Sequence, residues 1–520
     1  MLFEQDGRLA SRPTAAGAQR SNWKGPLPMA FTPEVSPAAG PLAVSLINPR
    51  YFTVASADPA GGRAVFLTGS HVNNNFHDGL GPGRECPEDL ERFDFDAYLD
   101  LLAERGHNFI RLWRWEQFQG YLAPADVHFC MTPQPWPRTG PGSAKDGKPR
   151  FDLSSFDEAY FDRLRDRVSA AGRAGIYASV MLFEGFSLHL TQIPDNIEGH
   201  PFHAANNVND IGITSIVDYQ VLPLDPGVEA IQNAYIRRVI DTVHDLPNVL
   251  YEVANESSGQ VADSVAFPDG TAIETPIGDS TQWQYWVIET VKNYERAMDY
   301  DAHPIGMSYL FPVADLSRSN EPLWNSPADW ISPGFDDTLG DSRWLTDPPP
   351  NDGSKVVLLD TDHFSPFSSS ALWVWKSFLR GHNPILYDLG ILGGGVPPNP
   401  FEGTPSFDSL DPARWAMGEA RRFAEQLNLA NLEPRGELAS SGYVLAHPSQ
   451  EYVALRTDER DGHFTVTVTP GTYTVRWHDI QSRETFEVAP FVAERAGPVA
   501  LRSPFEGTTP VVVHLKATAR

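Results

Sequence analysis

The segment NVLYEVANES, residues 248–257, is a short apolar run that ends in two polar side chains, Asn255 and Glu256. Before it lies VEAIQNAYIRRVIDTVHDL, residues 228–246, whose apolar residues recur with the spacing of an amphipathic helix. A helix that leads into a short apolar strand is the repeating unit of a parallel sheet. Because the same unit recurs along the chain, we expect an α/β fold.

Seven further apolar runs alternate with helical patterns and predict the other strands of the sheet. Eight strands in such an order favour a closed (β/α)8 TIM barrel over an open sheet. In chain order, the eight runs cover residues 64–71, 108–115, 176–185, 248–257, 303–311, 328–333, 355–364 and 384–390.

The pattern changes after residue 431, where short alternating strands such as EYVALRT and PVVVHLKA are separated by turn residues. Alternation of this kind predicts an antiparallel β-sandwich. At the other end, the first residues are rich in Pro, Ala, Gly and Ser and lack periodicity. We therefore expect an N-terminal arm at residues 1–43, a barrel domain at 44–430 and a β-sandwich domain at 431–520.

The charge of the chain excludes several classes of partner. Lys and Arg total 40 against 67 Asp and Glu, a formal net charge of -27, which repels nucleic acid and anionic lipid. Two cysteines, Cys86 and Cys130, cannot make a disulfide framework, and no Cys/His cluster has zinc-site spacing. The sequence shows no secretory-signal pattern and no bilayer-spanning apolar run, so we expect a cytoplasmic protein. We expect it to need neither a metal nor a cofactor. The sequence leaves homo-oligomerisation open.

Candidate functional residues are those that end the predicted strands, because side chains at the C-terminal ends of barrel strands converge on one mouth. Cleavage of a glycosidic bond needs one carboxyl group that keeps its proton and a second that is ionised. We assign these roles to Glu256 and Asp362. The candidates for binding a carbohydrate substrate are His71, Arg111, Trp113, Trp115, Glu184, Asn255, Tyr309, Asp360 and Asp388.

With its Asn-Glu pair, NVLYEVANES resembles the strand-four motif of glycoside hydrolase clan A, in which this pair carries the acid/base. The resemblance implies that Asn255 holds the sugar hydroxyl next to the scissile bond. It also implies that Arg111, in NFIRLWRW, orients a nucleophile at the end of strand seven. The C-terminal segment is similar to the small β-domain that follows the barrel in apiosidase-like glycosidases, often labelled a collagenase-type domain.

Strand seven departs from the clan pattern, because DTDHF offers Asp360 and Asp362 where the clan has Glu. By period-two alternation the two Asp share a strand face, with Asp362 nearer the mouth and Asp360 as its partner or substitute. The shorter side chain can widen the carboxylate separation from about 5 Å towards the roughly 6.5 Å of an inverting enzyme.

Structural roles compete with functional ones at several of these positions. Glu252 is expected to pair with a buried base inside the barrel, and Asp360 can serve as a buried partner for Arg111. His363 faces away from the site by alternation unless the strand ends before it. Glu184 either lines the cleft or caps the loop that follows it.

The aromatic residues and the loops bear on the kind of substrate. At least one of Trp113, Trp115 and Trp136 is expected to stack on a sugar, and the others to pack in the core. Long loops after strands two, three and four favour a walled pocket, which suits an exo-acting enzyme on short glycans. For the two-carboxylate pair we expect a retaining enzyme. A metal-dependent barrel hydrolase and an inactive carbohydrate-binding barrel are the alternatives.

Overall fold

The computed structural model describes residues 36–518 with the exception of thirteen short ranges. Within residues 121–129, 189–195 and 260–277 only the backbone is described. Most of the predicted N-terminal arm and Cys86 lie outside the described residues. The ranges left out are 56–61, 80–89, 91, 123–126, 190–193, 260–261, 267–271, 314, 337–341, 365–368, 389–404, 458–463 and 506–509.

Eight parallel strands form the barrel, and all eight predicted strands are confirmed. β1 hydrogen-bonds to β8, and the ladder continues through β7, β6, β5, β4 and β3 to β2. The backbone N–H of Asn108 donates to the carbonyl of Thr68 at 3.0 Å, which brings β2 back beside β1. The strands are β1 (Gly69–His71), β2 (Phe109–Leu112), β3 (Tyr177–Glu184), β4 (Val249–Asn255), β5 (Ile305–Ser308), β6 (Trp330–Ser332), β7 (Val356–Asp360) and β8 (Asn383–Tyr387).

A helix follows each barrel strand. The carboxylates of Asp94, Asp157 and Asp225 accept backbone N–H groups at the first turns of the first three helices, as N-cap residues do. Over the described part of the chain, no helix has the length and apolar character of a membrane span. The helices are α1 (Phe95–Arg105), α2 (Glu158–Arg173), α3 (Pro226–Val243), α4 (Thr281–Met298), α5 (Glu321–Asn325), α6 (Arg343–Thr346), α7 (Ala371–Leu379) and α8 (Phe407–Ala424).

An antiparallel hairpin, Leu42–Val44 with Phe52–Val54, covers the N-terminal ends of the barrel strands. Its side chains share a buried apolar cluster with Phe109, Leu250 and Ile385, which come from three different strands. Burial of this cluster closes the bottom of the barrel. Only the C-terminal ends of the strands are left to line a mouth.

Smaller elements are inserted between the barrel strands and their helices. Cys130, in one of these insertions, is disulfide-bonded. That bond is at odds with the cytoplasmic location expected from the sequence, because the cytoplasm is reducing and disulfides persist mainly in oxidising compartments. The insertions are the strand pairs Gln119–Leu122 with Val127–Cys130 and Ala262–Ala266 with Ala272–Ile277, the helices Phe186–His189, Pro194–Glu198 and Val217–Gln220, and the 3-10 turns Leu316–Arg318 and Thr361–His363.

The C-terminal residues form the predicted antiparallel β-sandwich. A six-stranded sheet has the order β9-β10-β11-β16-β13-β14, and β12 pairs with β15. Two 3-10 turns, Leu429–Asn431 and Gly436–Leu438, lie beside the first strand. The strands are β9 (Glu433–Pro434), β10 (Val444–His447), β11 (Glu451–Arg456), β12 (Thr465–Val468), β13 (Gly471–Asp479), β14 (Thr485–Ala493), β15 (Gly497–Ala500) and β16 (Val511–Ala517).

Alternate residues along the strands of the six-stranded sheet pack into two different hydrophobic cores. Val513 faces the interior of the sandwich, whereas Val512 joins the barrel core together with Trp375 of α7 and Phe423 of α8. Successive residues of a strand point to opposite faces, so one sheet can pack against both layers. The sandwich is therefore attached to the barrel through α7 and α8.

Candidate active site

Arg111 of β2 is the centre of a buried hydrogen-bond network at the barrel mouth. Its Nε and Nη2 donate to the two oxygens of Glu252 at 2.9 and 2.7 Å, and Nη2 also donates to Asn255 Oδ1 at 2.8 Å. Its Nη1 donates to Oδ2 of Asp360 and to Oδ2 of Asp362, both at 3.0 Å. All five N–H groups of the guanidinium are thus in use. Glu252 is the buried partner of a base, as predicted.

The end of β7 differs from the sequence-based expectation. The strand stops at Asp360, whose side chain accepts the backbone N–H of Asp362 at 3.0 Å and so starts a 3-10 turn. The prediction that both Asp share a strand face is therefore wrong. His363 lies in the same turn, with Nε2 at 3.8 Å from Asp362 Oδ2 and Nδ1 at 3.1 Å from Ser332 Oγ. The strand ends before His363, which therefore lies beside Asp362.

The carboxylate of Asp360 is engaged in structural contacts. Besides its bond to Arg111, it lies 2.7 Å from His71 Nε2 of β1. Burial opposes ionisation, but His71 and Arg111 outweigh it and hold the pKa of Asp360 well below its ordinary value. Asp360 is thus a permanent anion that links β1, β2 and β7. His71, a predicted substrate-binding residue, is fully buried as its partner.

Glu256 directly follows β4 in an uncommon backbone conformation. Its φ is +42°, in the left-handed region that side chains other than Gly and Asn rarely adopt. Such strain is characteristic of residues that are held for function. One carboxylate oxygen of Glu256, one of Asp362 and a ring nitrogen of His363 all lie within 4.8 Å of one another. The two predicted catalytic acids therefore do meet, and they are 9% and 7% exposed.

The two acids have different tendencies to ionise. Burial, and then the negative charges of Asp362 and Glu184, raise the pKa of Glu256 well above its usual value. Burial also raises the pKa of Asp362, to about 6, but the bond from Arg111 opposes the rise. The environment of Glu256 thus favours its protonated form, while Arg111 favours the ionised form of Asp362. This is the division of labour that acid and nucleophile require.

Glu184, which we predicted to bind substrate, ends β3 and is fully buried. Its Oε2 accepts the backbone N–H of Ser187 at 3.1 Å and also the Ser187 hydroxyl. The alternative that Glu184 caps the following loop is therefore confirmed. Behind it lies Glu116, whose Oε1 accepts the backbone N–H of Glu184 at 2.7 Å. Sequence reasoning missed Glu116, because it follows β2 in a loop without a strand-end position.

Three rings form a stacked aromatic group on the side of the mouth next to β1, β2 and β8. The centroids of His71, Trp113 and Tyr387 lie 5.3 to 5.9 Å apart, with interplanar angles of 16° to 27°. Trp113 also covers the guanidinium of Arg111 at 5.0 Å. Burial and the charge of Asp362 raise the pKa of Tyr387 well above its ordinary value, so its hydroxyl stays protonated beside the acids.

Trp115 and Trp136 differ from each other in environment. Trp115 packs at a tilt of 36° against Trp113, and its indole N–H donates to the carbonyl of Asn73. Trp136 packs edge-on against Phe202 in the barrel core. Trp136 is therefore a packing residue, whereas Trp115 extends the aromatic wall of the mouth.

Asp388, which we predicted to bind substrate, lies outside the site. Arg414 of α8 donates to its two oxygens from Nε at 2.5 Å and from Nη2 at 2.6 Å, and both side chains are fully buried. Successive residues of an extended segment point to opposite sides. Tyr387 therefore takes the inward position at the end of β8, and Asp388 joins the barrel to α8.

Tyr309 follows β5 and borders the site on the side opposite the aromatic group. Its ring lies 5.8 Å from that of His363 and 5.9 Å from that of Phe311. Its hydroxyl is buried without a hydrogen-bond partner among the described residues. Burial, and then the charge of Glu256, raise its pKa well above the ordinary value. The hydroxyl is thus a buried, protonated donor beside the two acids.

Comparisons with known proteins agree with this architecture. No protein-family model and no curated protein matches the chain. A solved structure described as a glycoside hydrolase superposes with a TM-score of 0.56 at 12% identity, over 92% of this chain and 98% of that one. A glycoside hydrolase family 5 structure from Bacteroides vulgatus has the same TM-score, 0.56, at 12% identity, over 92% and 93%. The chain therefore shares the barrel fold of these two structures. The likeness to apiosidase-like proteins and to collagenase-type domains stays a prediction.

One group of three residues in the described part of the chain could hold a metal ion. It consists of Glu256, Asp362 and His363. Burial and the charges of Asp362 and Glu184 raise the pKa of Glu256 and so favour its neutral form. In addition, Asp362 Oδ2 already accepts from the cationic Arg111 at 3.0 Å, which repels a second cation. The geometry favours acid–base chemistry over metal binding.

Proposed function

We propose that this protein is a glycosidase that hydrolyses an O-glycosidic bond with two carboxyl groups. Glu256 protonates the leaving oxygen, and Asp362 attacks the anomeric carbon. The observation that carries the proposal is that oxygens of Glu256 and Asp362 lie within 4.8 Å of each other at the mouth of a closed barrel, where Arg111 donates to Asp362 and the pKa of Glu256 is raised. Fold alone does not carry it, because barrels host many chemistries.

The separation of the two acids supports a retaining mechanism. Their nearest oxygens lie within 4.8 Å. Retaining glycosidases hold their carboxyl groups about 5 to 5.5 Å apart, whereas inverting enzymes leave roughly 6.5 Å or more for a water molecule. In the first step, Asp362 forms a covalent bond to the sugar as Glu256 releases its proton. In the second step, Glu256 takes a proton from water, which displaces Asp362.

The surrounding residues orient these two acids and the sugar. Arg111 donates to Asp362 and keeps one of its oxygens fixed, so that the other is free to attack. Asn255 is bound to the same guanidinium and presents its amide to a sugar hydroxyl. The unpartnered hydroxyl of Tyr309 and the ring of Trp113 supply a donor and an apolar face. Together they suit the alternating polar and apolar surface of a sugar ring.

Loop length supports an exo-acting enzyme on short glycans. β2 and α2 are joined by residues 113–157, β3 and α3 by 185–225, and β4 and α4 by 256–280. Ordinary connections of this kind have about 2 to 6 residues. Long loops on neighbouring strands wall one side of the mouth, which fits a pocket for a chain end better than an open groove.

The test compares Glu256→Gln with the wild type on two aryl glycosides of the same sugar, one with a poor and one with a good leaving group. Loss of the proton donor should abolish turnover of the first and largely spare formation of the glycosyl-enzyme from the second. Glu229→Gln, on the exposed face of α3, is the matched control. Equal loss on both substrates would remove Glu256 from the acid role. The first-formed anomer, followed by NMR, decides between retention and inversion.

A further inference from the structure

Glu184 is a third buried acid beside the proposed pair, and the mechanism above gives it no role. In the ladder between β3 and β4, Glu184 lies opposite Asn255, the residue before Glu256. One of its oxygens is bound by Ser187, while Oε1 is buried without a partner among the described residues. A capping residue needs only one oxygen. The second oxygen is therefore unexplained by the structural role.

No cation in the described part of the chain contacts the carboxyl group of Glu184. The nearest candidates are bound to Glu116 instead, since Arg114 Nη2 and His200 Nε2 each lie 3.5 Å from Glu116 Oε2. The Tyr219 hydroxyl donates to the same oxygen. Glu116 is thereby kept ionised, and its own pKa is lowered despite burial. Glu184 faces this anion without a positive charge of its own.

A second set of bonds fixes the loop of Glu184 to the loop of Glu256. Gln220 Nε2 donates to the carbonyl of Glu184 at 3.1 Å, and Gln220 Oε1 accepts the hydroxyl of Ser257 at 2.8 Å. Between the two loops, Gly185 is required, because a Cβ there would come within 2.6 Å of Ser257 Cα. Glu184 and Glu256 therefore keep a constant separation.

A buried carboxyl group without a cation is neutral over much of the physiological range. Burial raises the pKa of Glu184 to about 7, against the bonds from Ser187 and with the help of the charge on Glu116. In the network of Glu256, the charge of Glu184 is in turn one of the causes that raise the pKa of the proton donor.

We propose that Glu184 is a positioning residue of the reaction, a buried acid whose charge controls how strongly Glu256 holds its proton. This inference rests on the proposed function. An ionised Glu184 opposes a second negative charge beside it, so Glu256 stays protonated to higher pH. A neutral Glu184 lets Glu256 ionise, as it must after it has released its proton to the leaving group.

The decisive experiment measures the titration of Glu256 without any substrate. Infrared difference spectra of protein labelled with carboxyl-13C glutamate assign the Glu256 band by its loss in Glu256→Gln. In Glu184→Gln, this band should titrate about one pH unit lower than in the wild type, because a nearby negative charge has been removed. An unchanged titration of Glu256 in Glu184→Gln overturns the inference.

Two further variants separate charge from structure. Tyr219→Phe disturbs the same network through Glu116 but leaves the charge of Glu184 in place, so it should lower the melting temperature without moving the Glu256 band. Ser187→Ala removes a bond that stabilises ionised Glu184, so the Glu184 band should titrate at higher pH. If Glu184→Gln fails to fold, the Glu256 band in Ser187→Ala decides in its place, and a Glu256 band that stays fixed while the Glu184 band moves contradicts the inference.

Kinetic measurements connect the inference about Glu184 to the reaction. They also distinguish a failure of this inference from a failure of the proposed function. In Glu184→Gln, the alkaline limb of kcat/KM should move down by about one pH unit, while the acid limb stays fixed. A wild type that hydrolyses no glycoside refutes the proposed function, yet the spectra still decide whether Glu184 controls Glu256. If the wild type is active but the alkaline limb does not move in Glu184→Gln, the inference about Glu184 is refuted and the proposed function stands.

Discussion

Replacement of Arg111 by Lys tests the network on which both proposed catalytic acids depend. The guanidinium uses five N–H groups on four side chains, whereas an ammonium has three donors. At least two charge-assisted hydrogen bonds are lost, and each contributes about 1.5 to 3 kcal/mol. We therefore expect the free energy of unfolding to fall by about 3 kcal/mol or more, which is a large part of the stability of a typical domain.

The same change should alter the acid limb of the pH profile. Arg111 opposes the rise in the pKa of Asp362, which is about 6 in the native protein. Loss of its bond moves the acid limb of kcat/KM upwards by about one pH unit, since 1.36 kcal/mol corresponds to one unit. Activity at neutral pH falls because Asp362 is then partly protonated.

Urea unfolding and the pH dependence of kcat/KM measure these two effects. Arg165→Lys is the matched control, because Arg165 binds both oxygens of Asp245 at 2.7 Å on the exposed surface of α2. Surface substitutions of this kind usually change stability by less than about 0.5 kcal/mol. If Arg111→Lys behaves like Arg165→Lys in both assays, the network does not hold the acids, and the argument for Asp362 fails.

Two further predictions concern the titration of the pair and the role of Asp388. In the wild type, kcat/KM should decline below about pH 6 as Asp362 takes up a proton, and a profile that stays flat from about pH 7 to 5 would exclude Asp362 as an ionised nucleophile. Asp388→Asn should lower the free energy of unfolding by about 3 kcal/mol, because it leaves Arg414 buried without its anion, while the pH profile keeps its shape. If Asp388→Asn instead lost activity while its stability was unchanged, Asp388 would be part of the active site.

The sequence predicted the barrel because hydrophobic runs and helical periodicity alternate along it. Burial of a parallel strand on both faces requires such runs, so the pattern and the fold have the same cause. The run NVLYEVANES also placed Asn255 and Glu256 at a strand end, where the barrel brings them to the mouth. For these two residues, hydrophobic periodicity alone was enough to predict their position at the end of a strand.

Residues beyond the ends of strands were harder to predict. Whether Tyr387 or Asp388 faces the mouth depends on a single step of alternation at the last residue of β8. Glu116 belongs to a loop, and its contact with Glu184 is set by tertiary packing rather than by local sequence. The turn at residues 361–363 depends on a side-chain cap from Asp360, which the run of apolar residues before it does not signal.

That turn explains how Asp362, rather than Asp360, reaches Glu256 in the proposed mechanism. Asp360 occupies the last position of β7 and holds Arg111 and His71, so it is not free to reach Glu256. The 3-10 turn then carries the chain two residues further over the mouth and presents Asp362 from its first turn. Added backbone thereby replaces the missing methylene, and the oxygens of Asp362 and Glu256 stay within 4.8 Å. In the retaining mechanism that we propose, the backbone of this turn thus offsets the wider separation that a shorter side chain would produce.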